Sequence, residues 1–434
     1  MRCLALDVGS TSIKGAVLDL ARGAVESTVS RPFPAPIGGL ASGWFEVSLS
    51  AVEREVEHAL DALLAFAPDA NRLYCSGQMG GIVVIDASGR PASHYISWRD
   101  QRTLESRGSG GTYLDAVRRC WGDDVLASLG NELQPGSTTG LLFWLARHGR
   151  LPAGATFATI ADFLLARRCG VKPTMHVTHA VGMLDHRTGD WHRAAFDRLH
   201  LGEIRFPEST DRIAPLGQFS LRGQTLEVFG SFGDQQCALR GAGLRPEELS
   251  LNISTGSQVS RRTQTFSPGR YQTRRYFDGE FLDTITHLPA GRSLNVLVDL
   301  LTELAVAEGL AVSNAWDTIV RKAAEVDATN LEVDLAFFAG PLGSTGGIRS
   351  VTTENLTVGQ LFFAAFRSMA ENYAKCAEWL DHNRAWKSVV LSGGLAQSIP
   401  QLRRMIQGRF HMPLRETNGD ETLLGLLDIA RATN

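Results

Sequence analysis

Asp234, and the Ser254-Thr255-Gly256 segment about twenty residues after it, are the residues on which chemistry can be built. The apolar run Leu226 to Gly230 reads as a strand ending in small residues, and Asp234 then stands where a helix would begin. A carboxylate in that position can serve as a general base. After a spacer, a second apolar run reaches Ser254-Thr255-Gly256-Ser257, where small side chains leave backbone N–H groups free to point at an anion. A base followed by a phosphate cradle points to phosphoryl transfer to a hydroxyl. The plainer reading of Asp234 is a helix N-cap, worth about 1 kcal/mol. The two readings are compatible, because a capping position fixes the carboxylate and leaves it open to a cleft. Cys237, one turn on, is expected to be buried and is assigned no chemistry.

A similar unit opens the chain. Two apolar strands within residues 2–20 flank Gly9-Ser10-Thr11-Ser12, a hairpin signal. Asp7 ends the first strand. A carboxylate beside a Gly-Ser-Thr turn suits a hydrated Mg2+ next to a polyphosphate, since Mg2+ prefers oxygen ligands and keeps its waters. Lys14 could add positive charge. The alternative is a hairpin with polar turn residues. The recurrence of strand–turn–strand at residues 251–259 reads as an internal duplication, and two such turns facing one another could clamp one nucleotide. A third small-residue turn, Gly393-Gly394 after the strand at 387–392, lets a flat base or sugar approach the backbone.

Trp98, Asp100 and Arg102 are close together in sequence, a combination that suits a polyhydroxylated ligand: the charged groups orient hydroxyls and the indole covers the apolar face. The alternative is an N-cap at Asp100, a helix salt bridge and a core tryptophan. Five of the eleven histidines (His176, His179, His186, His192 and His200) fall within residues 176–200. The turn Asp185 to Trp191 would spread them over different faces, so no metal site is expected there.

These residues need elements to hold them. The spacing predicts helices at Ser50 onward (with a Ser50–Glu53 capping box), 140–149, 160–170, 292–309, 315–326 and 357–380. Strands are expected at 72–77 and, after a break, to residue 85; 261–279 reads as turn-like, and 331–349 as a strand running into a Gly-rich loop. The 434 residues are enough for two or three domains at roughly 150 residues each. Hydrophobic content of 44% and charged content of 21% fit a globular chain. Forty-three Lys and Arg against 46 Asp and Glu give a net charge of -3, with no basic stripe for nucleic acid. Six scattered cysteines without a Cys-x-x-Cys pair, an N-terminus that enters a strand at once, and no long apolar run lead us to expect a cytoplasmic protein with reduced thiols and no membrane span.

Taken together the motifs resemble the FGGY carbohydrate kinases: Asp7-Val-Gly-Ser-Thr-Ser-Ile-Lys14, Gly77-Gln78-Met79-Gly80-Gly81, Trp98-Arg99-Asp100-Gln101-Arg102, Gly233-Asp234-Gln235, Asn252 to Ser257, Leu391 to Gly394 and Glu421 to Gly425. The resemblance runs over nearly the whole chain and keeps motif order. It implies an α/β fold of two actin-like, ribonuclease-H-like domains, as in the sugar kinase, chaperone and actin superfamily, over residues 1–243 and 244–434. ATP and Mg2+ would lie in the cleft between them, with a small-molecule sugar or polyol deeper. By matching motifs, Asp234 is the catalytic base and Asp7 holds Mg2+ through water. Gly9, Ser10, Thr11 and Lys14 belong to the first phosphate loop, Thr255 and Gly256 to the second. Gly394 and Ser398 fall at the adenosine, and Gln78, Met79, Trp98, Asp100 and Gln235 at or near the sugar. Two short motifs, Gly-Asp-Gln-Gln-Cys and Asn-Ile-Ser-Thr, are most similar to sedoheptulokinases; xylulose, ribulose or a polyol are the other acceptors to weigh. An actin-like ATPase scaffold and a non-catalytic sugar sensor are rival readings. Family members often form homodimers. The chain departs from the pattern at Gly80, where a histidine is frequent, and at Ser398, where many members have asparagine. It also looks compact for the family.

Overall fold

The computed structural model describes residues 1–108, 110–417 and 419–434. Two six-stranded sheets dominate. In the first, the order is Pro215–Leu221, Gln224–Gly233, Arg72–Gly77, Arg2–Val8, Ser12–Asp19, Ala24–Pro32. In the second it is Gln272–Arg275, Phe281–Leu288, Ser257–Thr263, Glu248–Ile253, Ser388–Ser392, Leu414–Glu416. Both contain the same unit. Arg2–Val8 runs antiparallel to Ser12–Asp19 and parallel to Arg72–Gly77; Glu248–Ile253 runs antiparallel to Ser257–Thr263 and parallel to Ser388–Ser392.

The central strands Arg2–Val8, Arg72–Gly77, Glu248–Ile253 and Ser388–Ser392 are buried almost throughout because both faces are covered, whereas Ala24–Pro32 at the rim is mostly exposed. Alternation sends Leu4, Leu6 and Val8 into one core with Val56, Leu60 and Leu63 of helix Leu49–Phe66. It sends Cys3 and Ala5 into another core, with Leu426, Ile429 and Ala430 of helix Glu421–Ala432. In the second sheet Leu249, Leu251, Ile253 and Val259 pack with Phe362, Phe366 and Met369 of helix Val358–Leu380. The last helix thus returns to the first sheet. There it meets helix Asp234–Gly241 backbone to backbone: a Cβ on Gly241 would strike the Glu421 carbonyl, and one on Gly425 the Cys237 carbonyl.

Several local expectations are corrected. Helix Leu49–Phe66 begins earlier than Ser50; Ser48 is its N-cap and makes no side-chain capping bond, so there is no Ser50–Glu53 box. Gly233, not Asp234, is the N-cap of helix Asp234–Gly241, because strand Gln224–Gly233 continues through the small residues to Gly233. Asp100 caps no helix; the short 3-10 turn that follows, Arg102–Leu104, has Gln101 at its N-cap. The turn-like reading of 261–279 holds only in part: Ser257–Thr263 runs into this segment and Gln272–Arg275 lies within it, and both strands pair with Phe281–Leu288, while the rest is irregular apart from the short 3-10 turn Phe277–Gly279. The Gly-rich segment after Glu332–Asp334 returns as strand Gly347–Arg349.

Candidate active site

Three parallel strands of the first sheet end side by side. In register, Asp7 lies opposite Ser76, and Gly77 opposite both Val8 and Gly233. Asp7, Gln78 and Asp234 therefore leave the sheet at one edge, the carboxyl end where α/β sheets present their ligand sites. Asp7 is buried, and Ser76 Oγ donates to its Oδ1 at 2.9 Å. Burial pushes its pKa up to about 7, Asp234's charge adds to the rise, and the Ser76 bond opposes it. Asp234 is half-buried as the first residue of its helix, its Oδ1 accepting from the Gln235 N–H at 2.7 Å. Burial pushes its pKa up to about 6, against that hydrogen bond and the charge of Arg274.

Gly233 lets this corner close. Its N–H donates to Thr178 Oγ1 at 2.9 Å, and a Cβ there would press on the Met79 sulfur and the Thr178 carbonyl. Met79 is thereby set against the start of the helix that carries Asp234. Gln78 is enclosed: its Nε2 donates to the Gly9 carbonyl at 3.2 Å and its Oε1 accepts from Tyr95 at 2.9 Å. The Gly9-Ser10-Thr11 turn links Arg2–Val8 to Ser12–Asp19, and Arg99 reaches it through a bond to the Ser10 carbonyl. Lys14 Nζ lies 2.6 Å from Asp420 Oδ2, at the cap of the last helix.

Trp98 is partly exposed at this mouth, with Gly80 packed against its Cβ position and in the left-handed region at φ +74°. A side chain at Gly80 would be both strained and crowded by the tryptophan. Asp100 lies behind, fully enclosed. Its two oxygens take the Arg102 guanidinium at 2.8 Å each, and Oδ2 also accepts from the Phe45 N–H at 2.6 Å. Arg102 is sandwiched near Trp44 and Trp144 and also pairs with Glu46.

The second sheet presents its own edge. Asn252 pairs with Ser392 in register, so the Ser254–Gly256 turn and Gly393-Gly394 emerge together, close enough that a Cβ on Gly393 would strike the Ile253 carbonyl. The start of helix Gly291–Ala307 abuts the turn: Gly291 and Arg292 donate to the Ser254 and Thr255 carbonyls at 3.1 and 2.9 Å. Gly394 opens the short helix Gly394–Ser398, and Ser398 is exposed at its end. Gln235 joins the two edges. Its Nε2 lies within hydrogen-bond distance of Gln258, Ser260 and Thr284, and its Oε1 accepts from Arg274, which also binds Glu132.

Ser76, Arg99, Gln258, Arg274 and Thr178 were not singled out from sequence. Arg99 stood inside a quoted motif; the others carry no local signal. Of the clustered histidines, His176, His179 and His186 are buried and His192 caps helix Arg193–Arg198. Among the described residues there is no group of three or more His, Cys, Asp or Glu side chains able to hold a metal by themselves. Asp7, with one oxygen on Ser76 and the other facing the Gly9 turn, fits an ion held by a single carboxylate, waters and ligand phosphates.

The chain belongs to the FGGY family of carbohydrate kinases, whose N-terminal domain matches residues 2–240. A glycerol kinase of Brucella ovis is 27% identical over 285 residues, covering 60% of this chain and 54% of that protein, so the match spans about half the relative's length. A sedoheptulokinase of Mus musculus is 24% identical over 463 positions, covering 95% of this chain and 93% of the relative. The crystal structure of Plasmodium falciparum glycerol kinase with ADP superposes with a TM-score of 0.81 at 14% identity, over 99% of this chain and 88% of that one. The fold is accordingly the two-domain actin-like α/β fold of sugar kinases. Among the described residues no helix is long and apolar enough to cross a membrane.

Proposed function

We propose that this protein transfers the γ-phosphoryl group of ATP to a terminal hydroxyl of a small sugar, a ketose such as sedoheptulose, with Asp234 as general base. The observation that carries the reading is Asp234 itself: a carboxylate at a sheet's carboxyl edge, beside Asp7 and the Gly9 turn, whose burial raises its pKa to about 6. Such a group is ionised at neutral pH yet basic enough to take a hydroxyl proton as the bond to phosphorus forms. Backbone N–H groups of the Gly9–Thr11 and Thr255–Gly256 turns are suited to the phosphates, and Lys14 and Arg99 stand near the first turn. Mg2+, held through water by Asp7, would offset charge on those phosphates when bound. Gly394 and Ser398 fall to the adenosine side. Met79 and Trp98 would line the sugar, with Gln78, Asp100 and Gln235 holding that wall from behind. The two lobes divide at residues 243 and 244, with the final helix crossing back to the first sheet. ATP as donor is supported by family membership and by the ADP named with the Plasmodium falciparum structure.

Sedoheptulose is favoured by the relative that aligns along nearly the whole chain; glycerol is favoured by relatives that align along part of it. The deciding experiment is ATP consumption against a panel of ketoses, glycerol and other polyols with Mg2+, with identification of the phosphorylated product. Turnover with a sugar names the substrate. Nucleotide binding without turnover on any acceptor would overturn the kinase reading in favour of a sensor or scaffold. Asp234→Ala should abolish transfer and spare nucleotide binding.

A further inference from the structure

Arg292 is a cation without a counter-ion. It is exposed, and it is the sole Lys or Arg from Tyr276 to Val320. Among the described residues its guanidinium meets no carboxylate and no hydrogen-bond acceptor. It stacks instead on Phe338, with Cζ 3.7 Å from the ring centroid. Stacking fixes the plane of the fork and leaves its N–H edges free. Arg292 is also the second residue of helix Gly291–Ala307, where a positive charge opposes the helix dipole. The side chain is therefore not placed to stabilise the helix that carries it.

Its surroundings suit an anion. The Gly291 and Arg292 N–H groups are engaged by the Ser254 and Thr255 carbonyls, at 3.1 and 2.9 Å, so the arginine starts directly beside that turn. Ser254, Thr255 and Gly256 are exposed, and among the described residues the Thr255 and Gly256 N–H groups have no partner. On the other side, Phe338 leads to Gly340, where a Cβ would lie 2.7 Å from the His287 carbonyl. Burial holds the His287 imidazole below its ordinary pKa; Arg274 and, more weakly, Arg292 lie near enough to add to the fall, and Glu132 near enough to oppose it. Arg274 is engaged by Glu132 and by Gln235, the neighbour of Asp234. Arg292 thus stands between the Thr255 turn and the side of the cleft that carries the proposed base.

We propose that Arg292 grips the terminal phosphate of the donor nucleotide, so that the second turn distinguishes a triphosphate from a diphosphate. The inference rests on the proposed function only in taking that turn as a nucleotide phosphate site. In-line transfer places the terminal phosphate, not the inner two, beside the acceptor and its base, and Arg292 lies on that side of the turn. Its planar fork matches two phosphate oxygens. The other cations nearby are already paired: Arg274 as above, and Lys14 at the first turn with Asp420 at 2.6 Å.

The test is calorimetric titration of the full chain, with Mg2+ and no acceptor, using the β,γ-imido analogue of ATP, ADP and adenosine. Arg292→Gln should weaken the analogue about ten- to a hundredfold, as expected for losing charge-assisted hydrogen bonds. ADP should weaken no more than about twofold and adenosine not at all. The urea midpoint should stay at the wild-type value, because the side chain has no protein counter-ion to lose. Should Arg292→Gln disturb the fold, Arg292→Lys keeps the charge without the fork, and a smaller loss confined to the analogue is then the expected result. Equal losses for analogue and ADP overturn the proposal, since they place Arg292 on the inner phosphates. Unchanged affinity for the analogue overturns it as well, and so does a variant that loses stability but binds normally. A wild-type chain that binds nucleotide yet phosphorylates no acceptor would sink the kinase reading and leave these titrations decisive for Arg292. A chain that binds no nucleotide sinks both.

Discussion

Gln235 Nε2 lies 3.1 Å from Gln258 Oε1. One residue belongs to the helix of the proposed base and the other to strand Ser257–Thr263 of the second sheet, so this bond spans the two edges one residue from Asp234. Ser260 and Thr284 share the same donor, and Arg274 occupies the amide oxygen. The amide is thus spent on the protein, and we expect Gln235 to act by fixing where Asp234 points. Gln235→Leu should lower kcat about ten- to a hundredfold and leave KM for the sugar within about twofold, since small displacements of a reacting group cost that much. Steady-state kinetics with the identified acceptor decide it: a KM rise at constant kcat would mean that Gln235 instead contacts the sugar.

The raised pKa of Asp234 gives a pH profile with a defined sign. The carboxylate accepts a proton only when ionised, so kcat/KM should be flat well above pH 6 and fall about tenfold per unit below about 6. An ordinary carboxylate would place that fall about two units lower. Measuring kcat/KM from mildly acidic to mildly alkaline pH, with stability checked at each point, separates the two.

The parts of the site that were readable in the sequence are the local ones. The Gly9–Thr11 and Thr255–Gly256 turns join strands adjacent in sequence, and their small residues between apolar runs announce a hairpin without reference to the rest of the chain. The helix start at Asp234 is local too, although placing the cap one residue earlier required the strand to be followed through Gly233. Asp100 shows the opposite case. Its sequence carries a capping signal, but its partners are Arg102 and the Phe45 N–H, held by a shell of Glu46, Trp44 and Trp144. Gln235 likewise meets Ser260, Thr284 and Arg274 because of the order in which strands enter the second sheet. No spacing rule encodes that order, and strand Phe281–Leu288 was not read from the sequence at all.

Asp162 makes stability depend on pH. It is buried, accepts from Ser231 Oγ at 2.6 Å and from Thr159 Oγ1 at 2.8 Å, and Ser231 lies two residues before Gly233. Burial pushes its pKa up to about 7 despite those bonds. Its folded pKa therefore exceeds the unfolded value of about 3.9, so the stability linked to its proton is complete below that value and is lost as pH rises through about 7. Asp162→Asn cannot titrate. Relative to wild type, the variant should gain on the order of 1–3 kcal/mol between about pH 5 and about pH 8. Urea denaturation at the two pH values measures this difference; an offset that does not change with pH would mean that Asp162 stays ionised in the folded protein.

Gly425 tests how the last helix is docked behind the base. A Cβ at this position would sit far inside contact distance of the Cys237 carbonyl, carbon and Cα, and Gly241 stands in the same relation to Glu421. These are backbone atoms, so no side chain can rotate away. The two helices must separate to admit a methyl group, and separation loosens Leu423, Leu426 and Leu427 from Cys237 and Leu239. Gly425→Ala gains helix propensity, worth about 1 kcal/mol. Overpacking against fixed atoms costs about 1–3 kcal/mol and occasionally more, and the backbone contacts place this site at the upper end. We therefore expect a net loss of about 1–2 kcal/mol in chemical denaturation. Helix Asp234–Gly241 should shift with it, so kcat should fall in the folded variant at a temperature where more than nine-tenths of the protein remains native (about 1.4 kcal/mol of residual stability). A variant as stable and as active as wild type would show that the helices do not pack this closely in solution.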